Sequence, residues 1–569
     1  MPSVDKDANM PTITHINELP SEVLAHLFSI CNYEKDNCTV LLELALVCKH
    51  WHDVLWAFPR FWTSQSLTVP MKLKNSGPHA ALLPRLCNHL ERWYGRAGDV
   101  PRELSLSLEK ANTKTAVLYK YFTNGTRWKT LSFSSSLGGA SNWSWLEGLF
   151  TVANYTSLVP DPKTGEPKPC WPDLERLEIV SSLFRYDPGH LVLPLDNIAP
   201  NLTHLKIHIC QLRASVFSIF ASSPNPFANL TTFDFQGELG TESLGFYVHL
   251  LSTAPKLEIL RALDGQHDFD VARALPKQYA KLVPVRHDAL REVIMHWSPN
   301  VAVLLKSIAL PGLKTLDLSR SYDPGNIARP SKDETPVAHA VQALILNSTN
   351  AAMEMGTSFA LKRLSMEKAP LVVADQYEVV VAVREMVEEL VLDRSACWWN
   401  EPGELYARLD KLANGESVDV KGGPDIDGAE GDAREAKKTE PLLDLFPNLK
   451  TFITTPSGYH TLSFTVSRSD LEEYNTFKAS PLAWWKKCQD RLGKIEATFH
   501  DDSDDWGSGA SSGDGEWDED LDEGDDDGEW EDADEDGEMS DEDEDEGGDA
   551  IGTWQLATMS MAPTPYYGD

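Results

Sequence analysis

The residues near the N-terminus that could do chemistry are a thiol, an amine and two imidazoles in one short stretch. Cys48, Lys49, His50 and His52 include two of the ligand types that bind zinc in proteins. On a helix, the spacing Cys-x-His-x-His points the three candidate ligands in divergent directions, so they cannot converge on one ion. We therefore predict packing and surface roles for these side chains, and no metal site.

The rest of the sequence lacks the motifs that usually mark catalytic or nucleotide-binding sites. It contains no Walker loop, no HExxH, no GxGxxG after a strand pattern and no GxSxG at a strand-to-helix turn. Its eight cysteines include no CxxC pair, which argues against a zinc ribbon or a redox dithiol. We predict reduced thiols, no cofactor and no enzymatic activity. An undetected hydrolase is the alternative.

Charge is distributed very unevenly along the 569 residues. The formal net charge is −36, but residues 501–569 hold 29 acidic side chains and no Lys or Arg. The first 500 residues therefore carry 51 basic and 58 acidic side chains, a net charge of −7. Because binding the phosphate backbone requires a face rich in Lys and Arg, we predict that nucleic acid is not a partner.

The length and the hydropathy pattern indicate the class of protein. A single core rarely grows beyond about 250–300 residues, so the chain must form several domains or an elongated repeat. No apolar run approaches the roughly 18–20 residues that span a membrane, and no basic segment followed by an apolar stretch opens the sequence. We expect a cytoplasmic or nuclear protein with no membrane partner.

Residues 16–62 predict three short helices. Pro20 suits a first helical position, and the apolar residues after it recur at helical spacing. Thr39 is placed to cap a second helix, and a third runs from Trp51 to Phe58, before Pro59. So small a core cannot hide all of its apolar side chains, so we expect some of them to face a partner. The apolar residues of the first helix are Val23, Leu24, Leu27 and Phe28, and those expected to be surplus are Leu19, Leu27, Leu46 and Trp51.

This region resembles the F-box family, in which Leu-Pro-x-Glu-(Val/Ile)-(Leu/Ile) precedes a hydrophobic helix, Val-Cys-(Lys/Arg)-x-Trp and a later Trp. The matching residues are Leu19, Pro20, Glu22, Val23, Leu24, Val47, Cys48, Lys49, Trp51 and Trp62. We predict the F-box-like domain at residues 13–65, after a disordered N-terminus at 1–12. The alternative is a plain helical cap packed on the next domain.

The resemblance implies binding to the Skp-type adaptor of an SCF ubiquitin ligase and, through the adaptor, to a cullin. In the family, the Leu-Pro turn, the apolar residues of the first helix and the Cys-x-x-Trp region contribute to that interface. The corresponding adaptor-binding residues are Leu19, Pro20, Val23, Leu24, Leu27, Cys48 and Trp51.

A short phrase, x-x-L-x-x-L-x-(L/I/F), recurs beyond residue 100. Its leading residues are separated by 28, 28, 27 and 56 residues, and 56 is twice 28. They are Leu174, Leu202, Leu230, Leu257 and Leu313, and Leu104 and Leu131 stand another 27 apart upstream. The period resembles that of leucine-rich repeats. We predict an α/β fold in which an irregular leucine-rich-repeat solenoid covers residues 100–500. A nonrepetitive α/β domain is the alternative.

Each L-x-L core predicts a strand, and segments such as 244–254 and 335–347 predict helices between strands. Polar residues that alternate with the buried positions would line one face of the sheet and could contact a protein target, although a solvated face would look similar. These candidate substrate-binding residues are Arg176, Glu178, His204, Lys206, His208, Asp234, Asp317 and Arg363.

Two Gly-, Pro- and charge-rich segments, 320–336 and 412–441, predict loops or insertions. Residues 480–499 predict a terminal helix and strand that cap the array with Trp484 and Trp485. The acidic segment 501–569 predicts a disordered tail. We expect a noncatalytic substrate receptor of a ubiquitin ligase. The alternative is a scaffold, or a protein that binds basic proteins such as histones through its tail.

Overall fold

A computed structural model gives the protein a mixed α/β fold. The structure describes residues 15–33, 38–69, 82–108, 116–135, 144–160, 164–181, 192–209, 220, 225–237, 243–264, 284–296, 299–319, 337–366, 373–393, 403–416, 445–455 and 464–501. The predictions made for residues 1–12, for 320–336, for most of 412–441 and for nearly all of 501–569 lie outside these ranges.

The described residues contain helices throughout and strands from residue 64 onward. The α-helices are α1 (Ser21–Tyr33), α2 (Cys38–Val47), α3 (Lys49–Ala57), α4 (Leu82–Gly95), α5 (Ala116–Thr123), α6 (Ser144–Leu158), α7 (Leu195–Ile198), α8 (Ser243–Thr253), α9 (Pro299–Lys306), α10 (Val337–Glu354), α11 (Val373–Val383), α12 (Glu404–Ala413), α13 (Leu471–Ala479) and α14 (Pro481–Asp501). Short 3₁₀ helices occur at Ile16–Glu18 and Pro59–Trp62.

The strands are short, and most of them follow a helix. They are β1 (Ser64–Val69), β2 (Arg102–Leu108), β3 (Trp128–Ser135), β4 (Arg176–Ser181), β5 (His204–Ile209), β6 (Thr232–Gly237), β7 (Ile259–Asp264), β8 (Val285–Arg286), β9 (Glu292–His296), β10 (Ile308–Ala309), β11 (Thr315–Ser319), β12 (Arg363–Met366), β13 (Glu389–Asp393), β14 (Thr451–Thr455) and β15 (Phe464–Ser467).

Among the described residues, thirteen strands form one open sheet whose order follows the chain from β1 to β15. Only β8 and β10 are absent from it, because they pair with each other. Neighbouring strands from β1 to β14 are parallel, and β15 closes the edge as an antiparallel partner of β14. Parallel neighbours require a crossover connection, and a described helix lies in most of these connections.

A row of buried side chains runs across this sheet from strand to strand. Parallel pairing brings the first buried residue of each strand beside its equivalent in the next. The row consists of Leu104, Leu131, Leu177, Leu205, Phe233, Leu260, Val293, Leu316, Leu364, Leu390 and Phe452. Because side chains alternate between faces, the residues between buried positions form the opposite face.

The predicted rhythm of 28 residues needs two corrections. The interval between Leu257 and Leu313 contains a strand that the leucine phrase does not mark, β9, which Leu290 precedes by two residues. The interval is therefore 33 plus 23 residues, and its equality with twice 28 is a coincidence. In addition, Leu131 pairs with Leu177 of β4. It does not pair with Leu174, the leading leucine of the phrase that contains Leu177.

The predicted helices are present, but their ends differ from the prediction, most of all at Glu354, seven residues beyond the predicted end of segment 335–347. Segments 244–254 and 335–347 correspond to α8 and α10. Helix α1 begins at Ser21, directly after Pro20, and α2 begins at Cys38, so Thr39 is the second residue of α2 and not the residue that precedes it. The predicted strand near residue 499 is wrong, because one helix, α14, runs from Pro481 to Asp501.

Trp484 and Trp485 are buried and cover the last parallel strand. The ring centroid of Trp484 lies 5.9 Å from that of Phe452 on β14. Trp485 stacks on Tyr406 of α12 with centroids 4.6 Å apart and planes 8° apart. The predicted capping role of the two tryptophans agrees with these contacts, although both belong to a helix that no strand follows within residues 481–501.

Candidate protein-interaction surfaces

The first three helices pack around a small core and leave a large apolar surface uncovered. Leu24 and Phe28 of α1, Leu41 of α2 and Leu55 of α3 are buried. On the other side of α1, Val23 is 43%, Leu27 36% and Ile30 54% exposed, although all three are apolar. Their spacing of four and three residues places them on one helical face. We call this set, together with the α2 residues described next, the apolar face.

Helix α2 extends the apolar face. Leu42 is 39%, Leu46 85% and Val47 58% exposed. Monomeric proteins rarely leave this many large apolar side chains of two consecutive helices in water, and such exposure usually marks an interface with another protein. Of these three residues, only Leu46 was expected from the sequence to be surplus to the core.

A hydrogen bond from α3 fixes the turn that precedes α1. The indole Nε1 of Trp51 donates to Oδ1 of Asn17 at 2.8 Å, and the thiol of Cys48 lies 3.8 Å from the same oxygen. Trp51 is half-buried and its ring centroid is 5.0 Å from that of Phe28. The turn carrying Leu19 and the exposed Pro20 is thereby attached to the domain core.

The structure brings six of the seven predicted adaptor-binding residues to the surface or its border. Pro20, Val23 and Leu27 are exposed, and Leu19, Cys48 and Trp51 are half-buried. Leu24 is an exception, because its side chain is 0% exposed and belongs to the core. Cys48 directly follows α2 and is the N-cap residue of α3.

Comparison with known families addresses this part of the chain. Residues 16–68 match the F-box-like family model. The match begins three residues after the predicted start at residue 13 and extends three beyond the predicted end at 65. It takes in the three helices and all of β1 except its last residue, Val69. No curated protein matches the chain.

The F-box-like domain is joined to the sheet by a cluster of aromatic rings. Trp62 is fully buried, donates to the carbonyl of Leu55 at 3.0 Å and packs edge-on against Trp93 of α4. The guanidinium of Arg96 lies 4.7 Å from the ring centroid of Trp56 and 4.4 Å from that of Trp62. Strand β1 then pairs with β2, so the domain continues directly into the sheet.

The second candidate surface is the polar face of the sheet, which we call the strand face. On β4, β5, β6 and β7 its central row consists of Glu178, Lys206, Asp234 and Arg261, which the parallel register places side by side. Charges of opposite sign therefore alternate across four strands, an arrangement that favours neighbouring pairs. Six predicted substrate-binding residues lie together here: Arg176, Glu178, His204, Lys206, His208 and Asp234.

Several of these side chains are already bound to one another. Arg176 contacts Glu178 with Nε and Oε1 2.6 Å apart, and Nε2 of His208 lies 2.8 Å from Oδ1 of Asp234. Arg261, which the sequence did not single out, contacts Glu292 of β9 at 3.0 Å. The strand face is thus largely compensated in charge, and a target would have to meet paired groups.

The environment shifts the pKa of two groups on the strand face. Burial opposes the charged form of Asp234, but the hydrogen bond and charge of His208, with Lys206 and Arg261 nearby, outweigh it and lower the pKa of Asp234. Burial, helped by Arg176, lowers the pKa of His204. Asp234 is therefore anionic and His204 is neutral at physiological pH.

Asp317 and Arg363, the remaining predicted substrate-binding residues, lie farther along the sheet on β11 and β12. Asp317 is half-buried, and Arg363 is exposed with its Nε 3.5 Å from Oε1 of Glu389. Asp317 lies in the same row across the sheet as Asp234, but Arg261 of β7 and Ile294 of β9 come between them. Beyond Asp317 the row is buried at Ser365 and Val391. The structure therefore separates these two residues from the group on β4–β6.

The described part of the chain contains no cluster of three or more His, Cys, Asp or Glu side chains able to hold a metal ion. Burial raises the pKa of the Cys170 thiol to about 12. No described helix is both long and apolar enough to span a bilayer.

Proposed function

We propose that this protein is a noncatalytic substrate receptor of an SCF-type ubiquitin ligase. Its F-box-like domain would bind a Skp-type adaptor and, through the adaptor, a cullin. The apolar face carries this proposal, because an F-box-like domain with large apolar side chains exposed on α1 and α2 has a surface suited to another subunit. Such ligases act in the cytoplasm or the nucleus, where we propose that this chain works.

We further propose that the sheet is a degenerate leucine-rich-repeat array that binds a protein target. The parallel strands in chain order, the intervening helices and the repeated row of buried leucines support this interpretation. The strand face on β4–β6 is the candidate surface for the target, since it combines charged and imidazole side chains within reach of one ligand.

In this proposal the chain contributes proximity rather than bond chemistry. Holding the target on the same complex as the charged conjugating enzyme raises the effective concentration of the target lysine near the ubiquitin thioester. The covalent steps belong to other subunits. The purified chain alone is therefore expected to have no turnover.

Adaptor binding by the full chain tests the first part. Val23→Asp and Leu46→Asp should each reduce adaptor affinity by at least about tenfold, because each places a charge in a buried apolar contact. Leu346→Asp is the matched control, because Leu346 is 61% exposed on α10, outside the F-box-like domain. Full affinity in both test variants would contradict the proposal. All three variants should remain folded, since the positions are exposed.

The alternative is a scaffold that works through its acidic C-terminal segment. The 29 acidic residues of 501–569, with no Lys or Arg among them, favour this possibility for a basic partner. Deleting residues 501–569 separates the two functions. The receptor proposal predicts retained adaptor binding that Leu19→Ala with Pro20→Ala then abolishes, whereas the scaffold predicts loss of all partners. Affinity purification from the native cell should recover the adaptor and a cullin.

A further inference from the structure

A cavity of about 340 Å³ lies between the ends of α4 and α5 and the start of β2. It belongs to neither the apolar face nor the strand face. Pockets that bind small molecules typically have volumes of about 300–1,000 Å³, so this one suits a compact ligand. The side chains that determine its chemistry are Glu91, Arg102, Lys120, Tyr121 and Asn124.

Three of these side chains are charged and unpaired. Within the part of the chain that the structure describes, Glu91, Arg102 and Lys120 form no ion pair, in contrast to the paired charges of the strand face. The guanidinium of Arg102 donates one hydrogen bond, to the carbonyl of Gly98 at 3.3 Å, and lies 5.5 Å from the ring centroid of Tyr94. The cavity thus presents two positive groups and one negative group.

The hydroxyl of Tyr121 is the second observation that points to a ligand. Tyr121 is only 8% exposed, and its hydroxyl is buried without a hydrogen-bond partner while the residue lines the cavity. Its ring is fixed by edge-on contacts with Phe122 and Trp128. Buried polar groups are nearly always hydrogen-bonded, so an unsatisfied buried hydroxyl on a residue that lines a cavity requires an explanation.

The two weakly acidic groups of the cavity stay neutral at physiological pH. Burial raises the pKa of Tyr121, and burial together with Glu91 raises the pKa of the Cys87 thiol to about 11. The fixed charges are therefore those of Arg102, Lys120 and Glu91 alone, and Tyr121 keeps its proton for donation.

We propose that this cavity binds a small zwitterion of the α-amino acid class. Arg102 and Lys120 would face the carboxylate, Glu91 the ammonium group, and the Tyr121 hydroxyl would donate to a ligand oxygen. A simple anion would satisfy the two cations but would leave Glu91 unpaired beside it, and a simple cation would be repelled by Arg102 and Lys120. A ligand with both charges complements all three groups.

The test uses the purified full chain and the free L-amino acids, each compared with its methyl ester and with acetate. At least one amino acid should raise the thermal midpoint and give a measurable Kd by calorimetry, while its ester and acetate should bind at least about tenfold more weakly. The proposal is overturned if no amino acid binds, or if the ester or acetate binds equally well.

Variants of the cavity locate the binding. Arg102→Gln and Tyr121→Phe should each weaken the amino acid by at least about tenfold, whereas Arg85→Gln, at an exposed position on α4, should not. Tyr121→Phe removes a hydroxyl that has no partner, so the ligand-free variant should melt no lower than the parent. Lys120→Gln changes an exposed side chain of the cavity, so it tests the same site if Arg102→Gln perturbs folding. Parental affinity in all three cavity variants overturns the assignment.

This inference goes beyond the receptor proposal and can fail separately from it. The cavity variants leave every residue of the apolar face unchanged, so they should bind the Skp-type adaptor with parental affinity. If the cavity variants lose amino acid binding and keep adaptor binding, the cavity assignment is supported. If the parent chain binds the adaptor but no amino acid, the cavity assignment is rejected and the receptor proposal stands.

Discussion

At the scale of single residues, the side chain of Asn17 controls the turn that carries Leu19 and Pro20. Asn17→Ala removes the acceptor of the 2.8 Å hydrogen bond from Trp51, which is worth about 0.5–1.5 kcal/mol. We expect adaptor affinity to fall roughly two- to tenfold by calorimetry, because a freer turn must be ordered on binding. The exposed Asn201→Ala serves as a control, and Asn201 also makes one hydrogen bond to a carbonyl.

A double-mutant cycle makes the Asn17 prediction specific. If the hydrogen bond transmits the effect, Trp51→Phe should cost less affinity in the Asn17→Ala background than in the parent chain. Additive effects of the two substitutions would show that the bond does not position the turn.

Asp375 on α11 gives a prediction for pH dependence. Burial, with Glu378 nearby, raises the pKa of Asp375 to about 6, and His339 only partly opposes this. Because the folded pKa exceeds the unfolded value of about 3.9, this group's stabilising contribution is complete below about pH 4 and is lost as the pH rises through 6. The side chain is partly exposed, so solvent screening limits the loss to about 1 kcal/mol.

Asp375→Asn should therefore raise the free energy of unfolding at pH 8 and change it little at pH 4. Urea denaturation at the two pH values measures the difference. Glu378→Gln should give a smaller gain at pH 8, since Glu378 is the second cause of the shift. An equal effect of Asp375→Asn at both pH values would contradict this assignment.

The exposed side chains of α1 could be predicted from the sequence, whereas the ion pairs of the strand face could not. The apolar stripe of α1 is really two faces, because Leu24 and Phe28 share one while Val23 and Leu27 share the other, four residues apart in each case. Helical spacing alone could have separated them. The partners of Asp234 could not have been found in this way, because ion pairs between strands depend on a register that only the folded sheet defines.

At the scale of elements, the junction between the F-box-like domain and the sheet depends on Trp62 and Arg96. Trp62→Ala should lower the free energy of unfolding by about 3–5 kcal/mol, because it leaves a cavity and an unpaired carbonyl at Leu55. Arg96→Gln removes two cation–π contacts and should cost about 1 kcal/mol. Thermal and urea denaturation would measure both losses.

Arg85→Gln is the control for Arg96→Gln, as Arg85 is an exposed arginine of α4. If the two variants are equally stable, the contacts of Arg96 with the rings of Trp56 and Trp62 do not strengthen the junction. If Trp62→Ala costs less than about 1 kcal/mol, the aromatic cluster is not the core of the junction.

The leucine phrase does not mark every strand of the sheet, because other apolar residues replace leucine in some strands. Strand β9 contributes Val293 and Met295 to the buried rows of the sheet, and Leu290 precedes them, so the apolar spacing is intact although two of the leucines are replaced. Any large apolar residue can occupy a buried strand position, since packing requires volume and not one residue type. A search for apolar spacing rather than for leucine would have found β9.

At the scale of the whole molecule, an open parallel sheet has two edges that must be protected. At one edge β1 follows directly from the F-box-like domain and pairs with β2. At the other edge the antiparallel β15, with α13 and α14, covers Phe452 of β14, and Phe477 and Trp484 pack on its ring. The regular interior was predictable from its repetition, whereas both ends depend on contacts that occur once and have no repeat to reveal them.

Two truncations test the importance of the C-terminal edge. A chain ending at Asp501 keeps α13 and α14, so it should melt cooperatively near the temperature of the full chain. A chain ending at Asp470 loses Phe477, Trp484 and Trp485, all of which are buried, and exposes the rings of Tyr406 and Phe452. Exposing this much apolar surface beside a sheet edge should make the chain aggregate, as light scattering would show. A soluble, monomeric chain ending at Asp470 with an unchanged melting temperature would mean that β15 alone protects the edge and that the tryptophans of α14 are dispensable.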